Sequence, residues 1–167
     1  MTLASAATGN QYLAPGLING NRYKFRIAAR NVIGYSPYTA DISVLCATIP
    51  STPVAPVTRM DVNLVNVQWT APSSNGAAIS SYTIFIRNHD GISYSKDLTN
   101  CNGSNPTIAQ QTFCVIPVWA LVSAPFNLIE GQSVFAKIIA TNEIGDSIES
   151  ILGNGAMVSL RYIPEAP

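Results

Sequence analysis

Three cysteines, one histidine and nine acidic side chains are the groups in this 167-residue sequence that could form a cross-link, hold a metal or move a proton. Cys101 and Cys114 enclose twelve residues, a loop whose closure by a disulfide would stabilise a fold by about 3 kcal/mol on the chain-entropy model. Two separate buried thiols are the alternative, suited to a reducing compartment. Cys46, between Leu45 and Ala47, has no evident partner and reads as a buried free thiol or as a bridge to sequence outside this segment. Asn102-Gly103-Ser104 is a sequon with an allowed middle residue inside the same loop, which makes Asn102 the expected glycan acceptor. His89 stands beside Asp90 with no second histidine or carboxylate cluster at metal-ligand spacing, so no catalytic, cofactor or metal site is expected. Glu143, Asp146 and Glu149 read as solvated turn carboxylates; weak calcium binding is the sharper alternative, without an Asp-X-Asp pattern behind it.

Composition narrows the partners. Nine basic and nine acidic residues give zero formal charge, so nothing favours nucleic acid or an anionic membrane. Only 11% of residues are charged while 47% are hydrophobic, which permits a buried core and a rather neutral surface. No run reaches the eighteen or more apolar residues of a membrane span. The stretch Met1 to Ala7 lacks the basic and apolar regions of a signal peptide, so any targeting signal is expected elsewhere. Eleven Gly and eleven Pro spread along the chain predict many short elements.

The elements that must position these groups are repeated. Gly20 to Ser36 aligns without a gap on Gly131 to Ser147 at an offset of 111, matching Ile27 to Ile138, Ala29 to Ala140, Asn31 to Asn142 and Gly34 to Gly145. Ile49-Pro50 to Pro56 is echoed by Ile163-Pro164 to Pro167. Residues 1–49 then form the trailing half of one unit, 50–56 a Pro-rich linker of semi-rigid character, 57–163 a complete unit and 164–167 the start of the next linker. Val65, Val67 and Trp69 alternate with polar residues, the two-residue period of a half-buried strand. Further strands are predicted over 80–88, 111–116, 133–142 and 156–161, with His89-Asp90-Gly91 as a hairpin turn. Several short strands at such spacing predict a two-sheet sandwich of the all-β class.

These residues resemble the fibronectin type III family over roughly 50–163, and in part over 13–49. Trp69 followed by Pro72 sits where the family has its strand B tryptophan, and Tyr82 with Ile84 where it has strand C. The strand F pattern is met by Leu17, Gly20, Tyr23, Phe25, Ile27, Ala29, Asn31, Gly34 and Ser36. The resemblance implies tandem immunoglobulin-like sandwiches, the first incomplete, and a tyrosine corner in which Tyr23 bonds to upstream backbone. In the second copy Val134 replaces that tyrosine, so the corner is expected to close by packing alone. Some family members carry Arg-Gly-Asp on the F–G hairpin for adhesion; here the hairpin has Ile144-Gly145-Asp146 and lacks the cation. The long segment from Thr99 to Phe126 is similar to repeats of large cell-surface proteins of ciliate-like protists.

Alternation along strands C and F places Phe85, Phe135 and Ile139 on one outward face, an expected contact surface unless the Thr99 to Phe126 segment folds over it. The functional expectation is a non-enzymatic structural segment of an extracellular or cell-surface fibre, filament or coat. It would be held by contacts with neighbouring repeats or other copies of itself and would carry covalent glycan. A ligand-binding or adhesion module of a receptor, and an accessory module of a secreted enzyme, are the alternatives.

Overall fold

The computed structural model describes residues 9–159; the expected linker start at 164–167 and the end of the strand expected over 156–161 lie outside them. The chain divides into two compact units between Ala47 and Thr48.

In the first unit, strands β1 (Arg22–Phe25) and β2 (Ile42–Leu45) pair antiparallel, with Tyr23 opposite Val44 and Phe25 opposite Ile42. Beyond Phe25 the pairing changes character. Ile27 N–H donates to Thr39 Oγ1 at 3.1 Å while Thr39 N–H returns to Ile27 O; Ala29 N–H donates to Ser36 Oγ at 3.0 Å while Ser36 N–H returns to Ala29 O. Hydroxyls thus stand in for the carbonyls of a regular ladder. None of residues 9–47 is buried: among the described residues the face of Tyr23, Phe25, Ile27, Ile42 and Val44 has no second layer over it, and Ile27 is 69% exposed.

The second unit is a sandwich. Its strands are β3 (Val57–Asp61), β4 (Leu64–Gln68), β5 (Ser81–Arg87), β6 (Tyr94–Ser95), β7 (Phe113–Pro117), β8 (Ser133–Val134), β9 (Ala136–Thr141) and β10 (Ala156–Met157). One antiparallel sheet runs β3-β4-β7 and the other β6-β5-β9, with β10 paired to β8. Val65, Val67 and Ile116 from the first sheet meet Ile84, Ile86, Ile138 and Ala140 from the second in one buried cluster. Trp69 and Tyr82 lock the layers edge to face, with ring centroids 5.3 Å apart. Pro50, Pro53 and Pro56 are each buried, a three-residue period, and Ser51 N–H donates to Ser73 O.

The all-β class holds, and the described residues include two short helices that strand periodicity did not show: α1 (Pro106–Gln111) and α2 (Val118–Leu121). Asn105 caps α1, its side chain accepting from Thr107 N–H, and Pro106 occupies the first turn, where its missing N–H costs nothing. The strand expected from Gln111 therefore begins at Phe113, because Gln111 closes the helix and Thr112 turns the chain with φ 57°. The strand expected over 133–142 is interrupted at Phe135. Strand β3 was not legible because its innermost residue is a threonine. Thr58, 1% exposed, is satisfied by a clasp: its N–H donates to Asn154 Oδ1 at 2.7 Å, its hydroxyl donates to Val134 O and accepts from Ala156 N–H, and Asn154 Nδ2 donates to Thr58 O.

Candidate cross-link, glycan and contact sites

Cys101 and Cys114 form a disulfide with Cα atoms 5.2 Å apart, both sulfurs' residues 3% exposed in the core. Strand β7 fixes Cys114 opposite Val67. Cys101 is delivered by a turn built on Asp97, whose carboxylate accepts from the Thr99 and Asn100 N–H groups while its carbonyl accepts from Cys101 N–H. Asp97 escaped sequence reasoning, although an Asp two and three residues ahead of its turn donors is an Asx-turn signal. Cys46 is a free thiol, half-buried rather than buried.

Asn102 follows directly. It is half-buried, and its Oδ1 accepts from Ser104 N–H at 3.0 Å, which orients the sequon as an Asx turn. Gly103 presses against β5: its carbonyl accepts from Tyr82 N–H at 3.0 Å, and an added Cβ would collide with the Tyr82 carbonyl. Glycine is thus required at the middle sequon position by close approach of two backbones.

The face expected from alternation is the outer surface of β5 and β9. Thr83 stands opposite Ile139 and Phe85 opposite Lys137, while Arg87 N–H donates to the carbonyl of Phe135. Phe85, Phe135 and Ile139 are all half-buried. The Arg87 guanidinium lies 4.1 Å from the Phe135 ring centroid, Lys96 Nζ 5.3 Å from that of Phe85, and Lys137 Nζ 4.5 Å from that of Tyr94. Gly155 lies directly against the Phe135 ring. This surface alternates rings with cations. The segment from Thr99 to Phe126 contributes β7 to the opposite sheet. Glu149 accepts from Lys137 Nζ at 2.9 Å, and that hydrogen bond raises the lysine's pKa above its ordinary value.

The corner at the start of strand F is corrected by the structure. In the first unit Ile18 N–H donates to Tyr23 Oη at 2.8 Å, the expected tyrosine corner. At Val134 the corner does not close by packing alone. Gln132 takes over: its Oε1 accepts from Ile129 N–H at 3.2 Å, and its Nε2 donates to His89 O at 2.9 Å. The orphan N–H needed a partner, and a side-chain amide two residues earlier supplies one. His89 Nδ1 lies 3.0 Å from the same Oε1, which ties the histidine to the corner.

The turn 88–93 is as expected, with Gly91 at φ 72° and its N–H on Asn88 O. Asp90 accepts from the Ser93 hydroxyl and from the Ile92 and Ser93 N–H groups, and these bonds, the hydroxyl first, hold its pKa below the ordinary carboxylate value. Asp146 accepts from Thr141 Oγ1 at 2.6 Å. Among the described residues no group of three or more His, Cys, Asp or Glu side chains could hold a metal ion. Among the same residues no helix is long and apolar enough to cross a membrane. An open groove of about 460 Å³ lies between the Ala71–Ser80 loop and α1, lined by Pro72, Ile79, Tyr82, Pro106, Ala109 and Gln110. Burial raises the pKa of Tyr82 there, against a smaller opposing effect of Trp69.

This geometry defines a fibronectin type III-like sandwich, and comparison with known proteins agrees. No family model matches the chain. A mouse protein named fibronectin type-III domain-containing protein 3A is 26% identical over 140 residues, covering 78% of this chain and 12% of its own length. A chicken protein named fibronectin type-III domain-containing protein 3a is 29% identical over 117 residues, covering 66% and 10%. The chain thus spans about a tenth of the length of these curated relatives. Among solved structures, titin domains superpose with a TM-score of 0.53 at 18% identity, covering 85% of this chain and 42% of that one. The sixth fibronectin type III domain of a human fibronectin type III domain-containing protein superposes with a TM-score of 0.50 at 15% identity, covering 72% and 96%. The family resemblance carried by Trp69, Tyr82 and the Tyr23 pattern is borne out, and the fold is an antiparallel sandwich of that kind.

Proposed function

We propose that this chain is a segment of a tandem-repeat structural protein outside the cell or at its surface, working in a fibre, filament or coat through contacts between domains and between chains. The observation that carries this reading is the repetition itself. At offset 111 the two units reproduce the same hydroxyl-mediated pairing: Ala140 N–H donates to Ser147 Oγ and Ile138 N–H to Ser150 Oγ, as Ala29 does to Ser36 and Ile27 to Thr39. A module copied with its internal bonding suits an array. The buried Cys101–Cys114 disulfide supports an oxidising compartment. Asn102 is the covalent glycan site, on the sheet edge that the disulfide fixes. Phe85, Phe135 and Ile139, interleaved with Arg87, Lys96 and Lys137, form the face that meets neighbouring repeats or other copies. No step of this role requires turnover.

Electron microscopy of the native protein, with mass spectrometry of the Asn102 peptide, tests the proposal. Filaments or sheets and a hexose-bearing Asn102 are expected; isolated cytoplasmic particles with reduced Cys101 and Cys114 would overturn it. A second reading, a ligand-binding or adhesion module, is favoured by the open groove beside α1. A soluble ligand that protects Gln110 and Ile79 from exchange would support that reading over the structural one.

A further inference from the structure

The chain is neutral as a whole, but its charge is divided. Met1–Ala47 carries Arg22, Lys24, Arg26 and Arg30 against Asp41, a net +3, and Thr48–Pro167 carries five basic and eight acidic residues, a net −3. Opposite charge on two parts of one chain suits contact between copies, provided that the charges lie in matching places.

In the first unit they form a row. Lys24, Arg26 and Arg30 are exposed and alternate with Tyr23, Phe25 and Ile27, so they stand on the other face of the hairpin. The Arg26 guanidinium lies 4.2 Å from the Tyr38 ring centroid and that of Arg30 lies 5.1 Å from that of Tyr35. A ring holds a guanidinium in place without neutralising it, which leaves the positive charge and the edge N–H donors for another partner. Lys24 Nζ, by contrast, has Asp41 Oδ2 at 3.9 Å.

In the second unit the same places are acidic. The offset of 111 puts Asp146 where Tyr35 stands and Glu149 where Tyr38 stands. Both carboxylates are exposed, Glu149 held by Lys137 Nζ at 2.9 Å and Asp146 by Thr141 Oγ1 at 2.6 Å. Each keeps acceptor sites beyond that one bond. Lys137 offsets part of the charge of Glu149, so Asp146, whose partner is a neutral hydroxyl, is the stronger pole. Arg26 and Arg30 are four residues apart, and so are Lys137 and Thr141, a spacing of about 13 Å along a strand. The two rows have one pitch because they are copies of one ladder.

We propose that the row of Arg26 and Arg30 docks on the row of Asp146 and Glu149 in a second copy of this chain. The guanidinium groups meet the carboxylates in charge-assisted hydrogen bonds. Each chain carries one row of each sign, so the contact is heterologous and continues from copy to copy. A foreign polyanion would use the first row and leave the matched second row without a role. Exposed ion pairs are individually weak, which suits a contact repeated along an array. The proposal rests on the array reading given above and supplies one contact for it.

Sedimentation of the 167-residue chain over a range of concentrations tests it. Self-association should weaken by about tenfold or more between about 0.02 M and about 0.5 M salt, as screening shortens the reach of the charges. Arg26→Glu with Arg30→Glu should abolish it, and so should Asp146→Lys with Glu149→Lys. Mixing those two variants, or placing all four substitutions in one chain, should restore association to within about threefold of the parent, because opposite charges then face each other again. The milder pair Arg26→Gln and Arg30→Gln should weaken it about threefold. Association indifferent to salt and to charge reversal, as contact through Tyr23, Phe25 and Ile27 would be, overturns the proposal. Loss in both variants without rescue overturns it, and so does a salt response independent of concentration, which would put the contact within one chain. Native filaments that survive both reversals would leave the array reading standing and remove this contact alone; rescue in a protein found only as reduced cytoplasmic particles would do the opposite.

Discussion

The hairpin of β1 and β2 and the segment from β8 to β10 share a hydrogen-bonding plan and differ in almost everything that burial decides. Hydroxyls meet the same N–H groups in both, and isolated bridges join Arg30 to Tyr35 and Thr141 to Asp146 at equivalent places. The outward cross-strand pairs also coincide, with different chemistry: the Arg26 guanidinium lies 4.2 Å from the Tyr38 ring centroid, where Lys137 bonds Glu149, and Arg30 stacks on Tyr35 where Thr141 bonds Asp146. Backbone and side-chain hydrogen bonds thus specify the local shape without help from a core. What they do not supply is stability, because most of that comes from apolar area removed from water. The two regions separate the encoding of shape from the source of its free energy.

That separation can be broken most directly at one matched residue. Ile138→Ala should destabilise the second unit by about 3 kcal/mol, from lost burial and the cavity left behind, whereas Ile27→Ala in the 167-residue chain should shift nothing beyond about 0.5 kcal/mol. Urea titration of both variants decides it, and equal costs would defeat the comparison. Replacing Cys101 and Cys114 together by serine should cost the second unit about 3 kcal/mol or slightly less, read from the same titration, with amide exchange in residues 20–45 unmoved. Asn142→Ala removes a turn acceptor and an amide group whose two N–H donors face three carbonyls, and should cost about 2 kcal/mol; Asn31→Ala in the same chain should be neutral within about 0.5 kcal/mol. The smallest effect belongs to Asp90. Its folded pKa lies below the unfolded value, so its contribution is present above the ordinary carboxylate range and fades as pH falls through the lowered value. The Ile92 and Ser93 amide resonances should report that transition in acid, and Asp90→Asn should abolish it.

Strands B, C and F were legible because Val65, Val67, Tyr82, Ile84, Ile138 and Ala140 bury apolar side chains at a strict period of two. The disulfide and the hairpin turn were legible from spacing and from Asp90-Gly91. What stayed hidden was polar work done inside. Thr58 faces the core as a hydroxyl, so β3 lacks the apolar alternation that would have announced it. The Asn105-Pro106 start of α1 was present in the sequence, but six residues are too few for a helical period to register. Gln132 at the corner could not be found from Val134, since the rule being followed names a tyrosine and the physics asks only for an acceptor. The charged cover over Phe85 and Phe135 required knowing that Lys96 and Arg87 bend onto neighbouring rings.

The clasp around Thr58 has a consequence for how the second unit bears tension. A pull transmitted along the chain first meets the bonds of Thr48 to Asn75, Ser51 to Ser73 and Val158 to Gln132, and Thr58, Asn154 and Ala156 lie just inside them, already bonded to one another. Force applied at the two ends would therefore load this small polar knot before it reaches Ile86 or Ile138. Yielding would begin with a few short hydrogen bonds sheared near the ends, leaving the stapled interior intact and ready to re-engage when the load is released.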